Sequence, residues 1–164
     1  MHCDRKVNLF VFSWSALPVR SKVYVYITFQ HQLLVFEHVD FPQAGIQVPG
    51  GTVEFGEKPH EAAIREANEE SGLENLRLVR SLGSLDRDMR EFGLAEIHER
   101  YYFHLVCDEI PPQTWIGFEQ TPSDGSQGPI KFKFYWVLLQ AVPALAGKTD
   151  EMLPVLHDAR DISL

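Results

Sequence analysis

The stretch GTVEFGEKPHEAAIREANEESGL, residues 51–73, carries the strongest structural signal in this chain. Within it, Glu66, Glu69 and Glu70 stand at positions i, i+3 and i+4, so on a helix they share one arc about 100° wide. Carboxylates crowded on one arc repel each other unless a cation lies between them. A hard divalent metal with oxygen ligands is the natural occupant of such an arc.

The flanks of this stretch predict where its helix begins and ends. Pro59 suits the first helical turn, where a missing N–H costs nothing, and Gly72 suits the left-handed position after the last turn. A second arc, which includes Ala63 and Ala67, lies beside the carboxylates, and its small residues predict close packing on a sheet. Lys58 holds the N-cap position in place of the usual Ser, Thr, Asp or Asn.

Arg65 lies on the remaining side of the predicted helix, four residues after Glu61 and four before Glu69. It can pair with either glutamate and hold Glu69 in place. A run such as REANEE is usually a solvated helix face, and with those residues alone that interpretation would be favoured.

The wider pattern resembles the Nudix box, the signature of the Nudix hydrolases. In that box a Gly and a Glu are followed, at fixed spacing, by Arg-Glu, an aliphatic residue, Glu-Glu, Gly and a second aliphatic residue. The matching residues here are Gly51, Glu57, Arg65, Glu66, Ala67, Glu69, Glu70, Gly72 and Leu73. With average residue usage, a chance match is on the order of one in ten million. Ala67 is smaller than the aliphatic residue usual at its position.

The resemblance implies a reaction and a cofactor. Nudix enzymes hydrolyse a diphosphate linked to another group, generally a nucleoside derivative. The implied cofactor is Mg²⁺, with Mn²⁺ as the alternative, and its principal ligands would be Glu69 and Glu70. Glu66 would be a further ligand or an orienting group, and the backbone carbonyl of Gly51 would join the metal shell.

The resemblance also implies which residues take part in catalysis. Glu57, Glu66 and Glu69 would form the catalytic set, with Glu57 acting across the loop on the metal or on bound water. Arg65 would be a structural support that holds a glutamate in position. Which carboxylate serves as general base varies among these enzymes, and the box leaves that choice open.

A candidate base outside the box is Glu119, in the segment 111–129, which the sequence predicts to be a long polar loop. Several family members place a catalytic glutamate in the corresponding loop, and loops this long are often functional. Trp115 or Phe118 could stack there on a base. The favoured alternative is that Glu119 is a solvated charge and that both aromatic residues cover the edge of the core.

Strand signals surround the predicted helix. We expect strands at residues 23–29, 32–39, 45–51, 75–86, 99–107 and 131–139, and a second helix at residues 151–159. Strands, a helix, more strands and a final helix predict an α/β (α+β) fold with a mixed β-sheet between helices. This agrees with the alpha/beta/alpha sandwich that the Nudix resemblance implies, formed as a single domain over residues 1–164.

Composition limits the classes of partner. The 164 residues are 45% hydrophobic and carry a net charge of −8, which indicates a globular protein and argues against broad nucleic-acid binding. A small nucleotide-type substrate remains compatible, because a bound metal would reverse the local sign of the field. No apolar run approaches the length of a membrane span, and the two cysteines, Cys3 and Cys107, favour a reducing compartment. We expect a cytoplasmic protein without a membrane partner and leave a homodimer open.

Two other functional classes are compatible with parts of this pattern. A non-catalytic Nudix-like module that senses a nucleotide would typically lack box glutamates, and none is lacking here. An acidic-helix interaction domain without a metal gives no reason for Gly51 and Gly72 at their positions.

Residues 89–91 lack the proline and the tyrosine that help mark ADP-ribose and dinucleoside-polyphosphate hydrolases, so the group attached to the diphosphate is left open.

Overall fold

The computed structural model describes residues 16–119 and 129–158, with the exception of the Glu119 and Asp158 side chains. In chain order its strands and α-helices are β1 Val19–Phe29, β2 Gln32–His38, β3 Gly50–Thr52, α1 Pro59–Ser71, β4 Leu76–Asp88, β5 Ile97–Cys107, β6 Thr114–Glu119, β7 Ile130–Leu138 and α2 Leu153–Asp158. Within the described ranges, neither α1 nor α2 has the length and apolar character that a membrane crossing needs.

The strands form one mixed sheet in the order β4-β5-β1-β2-β7-β6, with β3 beside β1. The central pair, β1 and β5, runs parallel from Val19 opposite Ile97 to Thr28 opposite Val106. The other strand pairs of this sheet are antiparallel. The helices α1 and α2 pack on opposite faces, so the predicted α+β fold with a mixed sheet between helices is confirmed.

Alternation along β1 divides its side chains between two cores. Val23 and Val25 face α1, whereas Tyr26 faces α2. The fully buried residues of α1 are all small: Ala62, Ala63 and Ala67. Small side chains let the helix lie close to the sheet, as the sequence predicts, and this closeness brings the carboxylates of α1 to the backbone of β3. On the other face, Leu156 of α2 is fully buried.

A gap between β1 and β2 holds residues 47–52. The two strands pair directly only beside the turn that joins them. Farther from that turn, Gln47 forms a bridge with Phe36 of β2, and Gly51 lies opposite Val23 of β1. The segment that leads to α1 is therefore part of the sheet, and its position is fixed from both sides.

The strand predicted at residues 45–51 is wrong in its extent. The residues before position 50 contribute a single bridge, and the strand itself covers Gly50–Thr52. Gly50 and Gly51 are both strand residues, and the gap leaves no room for a side chain at either position. A Cβ atom at Gly50 would lie 2.4 Å from the carbonyl oxygen of Val23.

The long polar loop predicted at residues 111–129 is also wrong in part, because it contains β6. Strand β6 pairs with β7 along Thr114–Glu119, and the Trp115 ring stacks on Phe134 of β7 with centroids 5.2 Å apart. The polar composition behind the prediction comes mainly from residues 120–128, which lie outside the described part of the chain. The polar average composition of residues 111–129 concealed the short apolar run from Trp115 to Phe118.

The other predicted elements agree with the structure to within a few residues at each end. The strands predicted at residues 23–29 and 32–39 correspond to β1 and β2, and those predicted at residues 75–86, 99–107 and 131–139 correspond to β4, β5 and β7. Helix α2 begins at Leu153, two residues later than predicted. The predicted last residue of that helix, Ala159, lies outside the described residues.

A buried polar cluster fastens the segment before α2 to the sheet. Arg100 of β5 is 1% exposed, and its Nη1 donates a hydrogen bond to the carbonyl oxygen of Gly147 at 2.8 Å. Its guanidinium also lies over the Tyr24 ring, 5.2 Å from the centroid, and 3.7 Å from a carboxylate oxygen of Glu151. Arg87 of β4 forms a second ion pair with Glu151. One carboxylate thus faces two arginines on the α2 side of the sheet.

Candidate active site

Helix α1 is fixed at both ends, which sets the direction of its side chains. At its start, the Lys58 N–H donates to Glu61 Oε2 at 3.1 Å. At its end, Gly72 has a left-handed backbone with φ of 67°, and its N–H donates to the Asn68 carbonyl at 2.9 Å. The predicted helix boundaries are confirmed. Glu61 serves this capping hydrogen bond, so the Arg65–Glu61 pairing offered by the sequence does not form.

Arg65 binds three of the four box glutamates. Its Nε and Nη2 each donate to the carboxylate of Glu57 at 2.9 Å. Its Nη1 donates to Glu66 at 2.8 Å and to Glu69 at 3.2 Å. Its Nη2 also donates to the backbone carbonyl of Thr52 at 3.1 Å. One guanidinium therefore joins α1 to β3 and to the loop between them.

Glu70 is positioned by the backbone of β3. The Gly50 N–H donates to Glu70 Oε2 at 2.9 Å. The next residue, Gly51, lies directly against the Glu66 side chain. A Cβ atom at Gly51 would be only 2.2 Å from the Glu66 carboxyl carbon, which is too close for any side chain. The reason for glycine at position 51 is thus a close contact with a glutamate side chain. The metal-facing carbonyl predicted for Gly51 stays a prediction.

The surroundings of the carboxylates shift their pKa values in opposite directions. Hydrogen bonds from Arg65 lower the pKa of Glu57 to about 2. Burial raises the pKa of Glu66 even though Arg65 acts against that shift. The hydrogen bonds to Glu57 in turn raise the pKa of Arg65. Glu57 and Arg65 therefore both stay charged at neutral pH.

In this structure the box carboxylates are held together by hydrogen bonds to Arg65. Among the described residues, no three His, Cys, Asp or Glu side chains lie where they could share one metal ion. Arg65 supplies the positive charge between Glu57, Glu66 and Glu69. The Glu69 side chain is 62% exposed, and an ion pair of that kind contributes only about 0–1 kcal/mol. The chemical nature of these groups nevertheless suits a hard divalent cation. Carboxylate and backbone carbonyl oxygens are the ligands that such ions prefer.

An open groove of about 430 Å³ adjoins these carboxylates. One wall is the C-terminal end of α1 with the residues that follow it, from Glu69 to Leu73, and the other is β6 from Trp115 to Phe118. Trp115 joins the two walls, because its indole N–H donates to the Ser71 carbonyl at 2.8 Å. The sequence alone does not predict this groove, although the apolar run of β6 is a signal from which an edge strand could be expected.

Comparison with known proteins agrees with the box. The model of the NUDIX domain family matches residues 18–158. The chain belongs to the Nudix hydrolase family. Two relatives, RNA pyrophosphohydrolases of Bartonella clarridgeiae and Bartonella tribocorum (strain CIP 105476 / IBS 506), are 24% and 26% identical to it. The first alignment covers 82% of this chain and 85% of the relative, and the second covers 87% of each.

The Nudix fold is also found in solved structures. The E. coli dihydroneopterin triphosphate pyrophosphohydrolase is 20% identical, with a TM-score of 0.57, over 88% of this chain and 99% of that one. At this identity the likeness shows the fold alone. The resemblance to the Nudix family inferred from the box is confirmed.

Not every predicted residue outside the Nudix box can be placed. Glu119 ends strand β6, but its side chain lies outside the described part of the chain, so its role as general base stays a prediction. Trp115 packs against the core, as the favoured alternative predicts. Phe118 does not, because it is 47% exposed and lines the groove.

Proposed function

We propose that this chain is a metal-dependent hydrolase that cleaves a diphosphate linkage in a nucleoside diphosphate derivative. The observation that carries the proposal is the convergence of Glu57, Glu66 and Glu69 on Arg65, with Glu70 beside them, at the end of an open groove. The two Bartonella relatives are pyrophosphohydrolases by name, which supports the reaction class.

The carboxylates of α1 would hold the cofactor. Mg²⁺, or Mn²⁺ in its place, would be bound by Glu66, Glu69 and Glu70, with the Gly51 carbonyl as a further oxygen donor. When bound, such an ion neutralises the charge of the diphosphate, polarises a P–O bond and activates water. The exposed ion pair of Glu69 with Arg65 would cost little to give up, so Glu69 would be available as a ligand.

Arg65 and Glu57 would position the other groups of the site. Two hydrogen bonds from Arg65 fix the Glu57 carboxylate and keep it ionised. A carboxylate with a pKa of about 2 is a weak general base at neutral pH, because efficient bases have a pKa near the working pH. Glu57 is therefore suited to accept a hydrogen bond from the attacking water and orient it, with Arg65 as the positioning residue.

A metal-dependent hydrolysis assay tests the proposal. The purified chain is incubated with a panel of nucleoside diphosphate derivatives, with Mg²⁺ or with a chelator, and phosphate and nucleotide products are identified. We expect hydrolysis that requires the metal and that falls by about two orders of magnitude or more in Glu69→Gln, while the melting temperature stays close to that of the wild type.

Glu74→Gln is the matched control for this assay. Glu74 is exposed, follows the end of α1 and does not line the groove, so the same change of charge there should leave turnover intact. Near-normal turnover in Glu69→Gln, or hydrolysis that persists in the chelator, would falsify the proposal. The products of the best substrate identify the group attached to the diphosphate.

A further inference from the structure

Lys22 of β1 lies beside the carboxylate site. It stands directly opposite Thr52 of β3, and its Nζ donates a hydrogen bond to Thr52 Oγ1 at 2.6 Å. The carbonyl oxygen of Thr52 accepts from Arg65 at 3.1 Å, and the residue before it, Gly51, lies against Glu66. One residue of β3 is therefore contacted by two cations, Arg65 at its backbone and Lys22 at its hydroxyl group.

The donors of Arg65 are already used, whereas those of Lys22 are not. Arg65 donates from Nε, Nη1 and Nη2 to three box glutamates and to the backbone. The Lys22 ammonium has three N–H donors, of which the hydrogen bond to Thr52 uses one. Within the part of the chain that the structure describes, Lys22 forms no ion pair, although Arg20 on the same strand is paired with Glu96 at 2.7 Å. Two donors of a charged group are thus unused by the described residues.

The surroundings of Lys22 favour a negatively charged ligand. Lys22 is partly buried, and this burial lowers the pKa of its ammonium group. Arg20 acts in the same direction, whereas Glu96 and Glu66 lie close enough to raise that pKa. The ammonium charge is therefore solvated incompletely by water, and no described carboxylate is paired with it. An anion bound to the ammonium would remove this cost.

The substrate of the proposed reaction supplies such an anion. A diphosphate bound at Glu66, Glu69 and Glu70 adds negative charge to a site that is already rich in carboxylates. Lysine is a common phosphate ligand, because its ammonium is a compact point charge with rotatable donors. We propose that Lys22 binds a phosphate oxygen of the diphosphate. This inference rests on the proposed function, and it assigns a substrate contact outside the Nudix box.

Two measurements on the full chain test this contact. One is the KM for a nucleoside diphosphate derivative that the wild type hydrolyses. The other is the dissociation constant of methylenediphosphonate, a diphosphate analogue that resists hydrolysis, measured by calorimetry with Mg²⁺. We expect Lys22→Met, which keeps the apolar stem and removes the charge, to raise both constants about ten-fold, because a hydrogen bond to a charged group is lost.

The size of kcat and a conservative variant distinguish binding from a general loss of function. In Lys22→Met, kcat should stay within about three-fold of the wild-type value, because the contact is made to the bound substrate as well as to the transition state. Lys22→Arg keeps the charge and the donors, so both constants should stay within about three-fold of the wild type.

Two control variants separate phosphate binding from other roles of Lys22. Thr52→Val removes the hydrogen bond to Lys22 and leaves the charge, so the diphosphonate affinity should change by less than about three-fold. Lys133→Met is the matched control for the loss of one positive charge. Lys133 lies on β7, is 51% exposed and is paired with Glu37, so its replacement should leave both constants unchanged.

The outcomes of these measurements keep the two proposals apart. Unchanged diphosphonate affinity in Lys22→Met, or an equal loss in Thr52→Val or Lys133→Met, would overturn the inference. Diphosphonate binding that depends on Lys22 in a chain that hydrolyses no substrate of the panel contradicts the proposed function and supports the phosphate contact. Metal-dependent hydrolysis with KM unchanged in Lys22→Met supports the proposed function and contradicts the contact.

Discussion

At Gly51 the backbone of β3 touches the carboxyl group of Glu66, and the contact leaves room only for hydrogen. Gly51 is paired with Val23 of β1, while Glu66 is hydrogen-bonded to Arg65, so neither partner can move freely. Close packing of this kind makes one methyl group costly, because strain is passed to the neighbours. The glycine of the Nudix box is therefore explained here by a carboxylate that lies directly on the main chain.

We expect Gly51→Ala to lower the free energy of unfolding by about 1–3 kcal/mol. The new methyl group must push Glu66 from Arg65 or β3 from β1. In a Glu66→Ala background the clashing carboxylate is gone, so the same Gly51→Ala change should cost less than about 0.5 kcal/mol. Urea unfolding of the wild type, both single variants and the double variant measures this cycle. An equal cost in both backgrounds would show that the contact with Glu66 is not the cause.

Among the elements, the segment before α2 depends on a cluster of charges that is largely buried. Arg100 is almost fully buried, and its Nε is a buried donor with no hydrogen-bond partner among the described residues. Glu151 forms ion pairs with both Arg100 and Arg87, and its carboxylate accepts from the Tyr102 hydroxyl at 3.5 Å. Breaking a buried ion pair from one side is strongly destabilising, because the remaining charge is left without compensation.

Glu151→Gln should therefore lower the free energy of unfolding by about 2–3 kcal/mol, somewhat less than for a fully buried pair because Glu151 is 21% exposed. Glu91→Gln is a matched control, because Glu91 pairs with the same Arg87 but is 41% exposed. Glu91→Gln should lower the free energy of unfolding by less than about 1 kcal/mol. Chemical denaturation of both variants at pH 7 checks the difference. Similar costs at the two positions would contradict the role assigned to burial.

On the scale of the whole molecule, burial of a histidine ties stability to pH. His98 of β5 is 6% exposed, and burial lowers its pKa, with Lys22 and Arg100 acting in the same direction. Its hydrogen bond to Glu96, 2.7 Å long, raises the pKa but does not outweigh burial. As the pH falls below the ordinary value of 6.5, the unfolded chain binds a proton at this site before the folded chain does.

The free energy of unfolding of the wild type should thus decrease as pH falls from 7.5 to 5.5, and His98→Gln should remove part of that decrease. One proton can contribute at most about 1.4 kcal/mol per pH unit. Above pH 7.5 the titration of His98 should have no effect on the difference between wild type and variant. Urea titrations across this range give the comparison, with His31→Gln as an exposed control that should follow the wild type. A pH dependence unchanged in His98→Gln would contradict this account.

Local signals predicted most of the fold, and nonlocal contacts account for what they missed. Helix α1 was predictable because Pro59 and Gly72 mark its ends within the sequence itself. The placement of Arg65 against Glu57 was not, because it depends on how the loop between them returns to the helix. The insertion of residues 47–52 between β1 and β2 and the groove beside β6 likewise depend on strands that are distant in sequence.

The parallel pairing of β1 with β5 has a consequence for synthesis of the chain. Ser21 and Glu99 lie opposite each other although they are 78 residues apart. At the usual ribosomal rate, about 4–16 s pass between the emergence of these two positions. During that interval β1 presents a β-branched, aromatic edge with unpaired backbone groups, the kind of template that other chains add to. Until β5 has been synthesised and pairs with β1, this edge must be protected from pairing with strands of other chains.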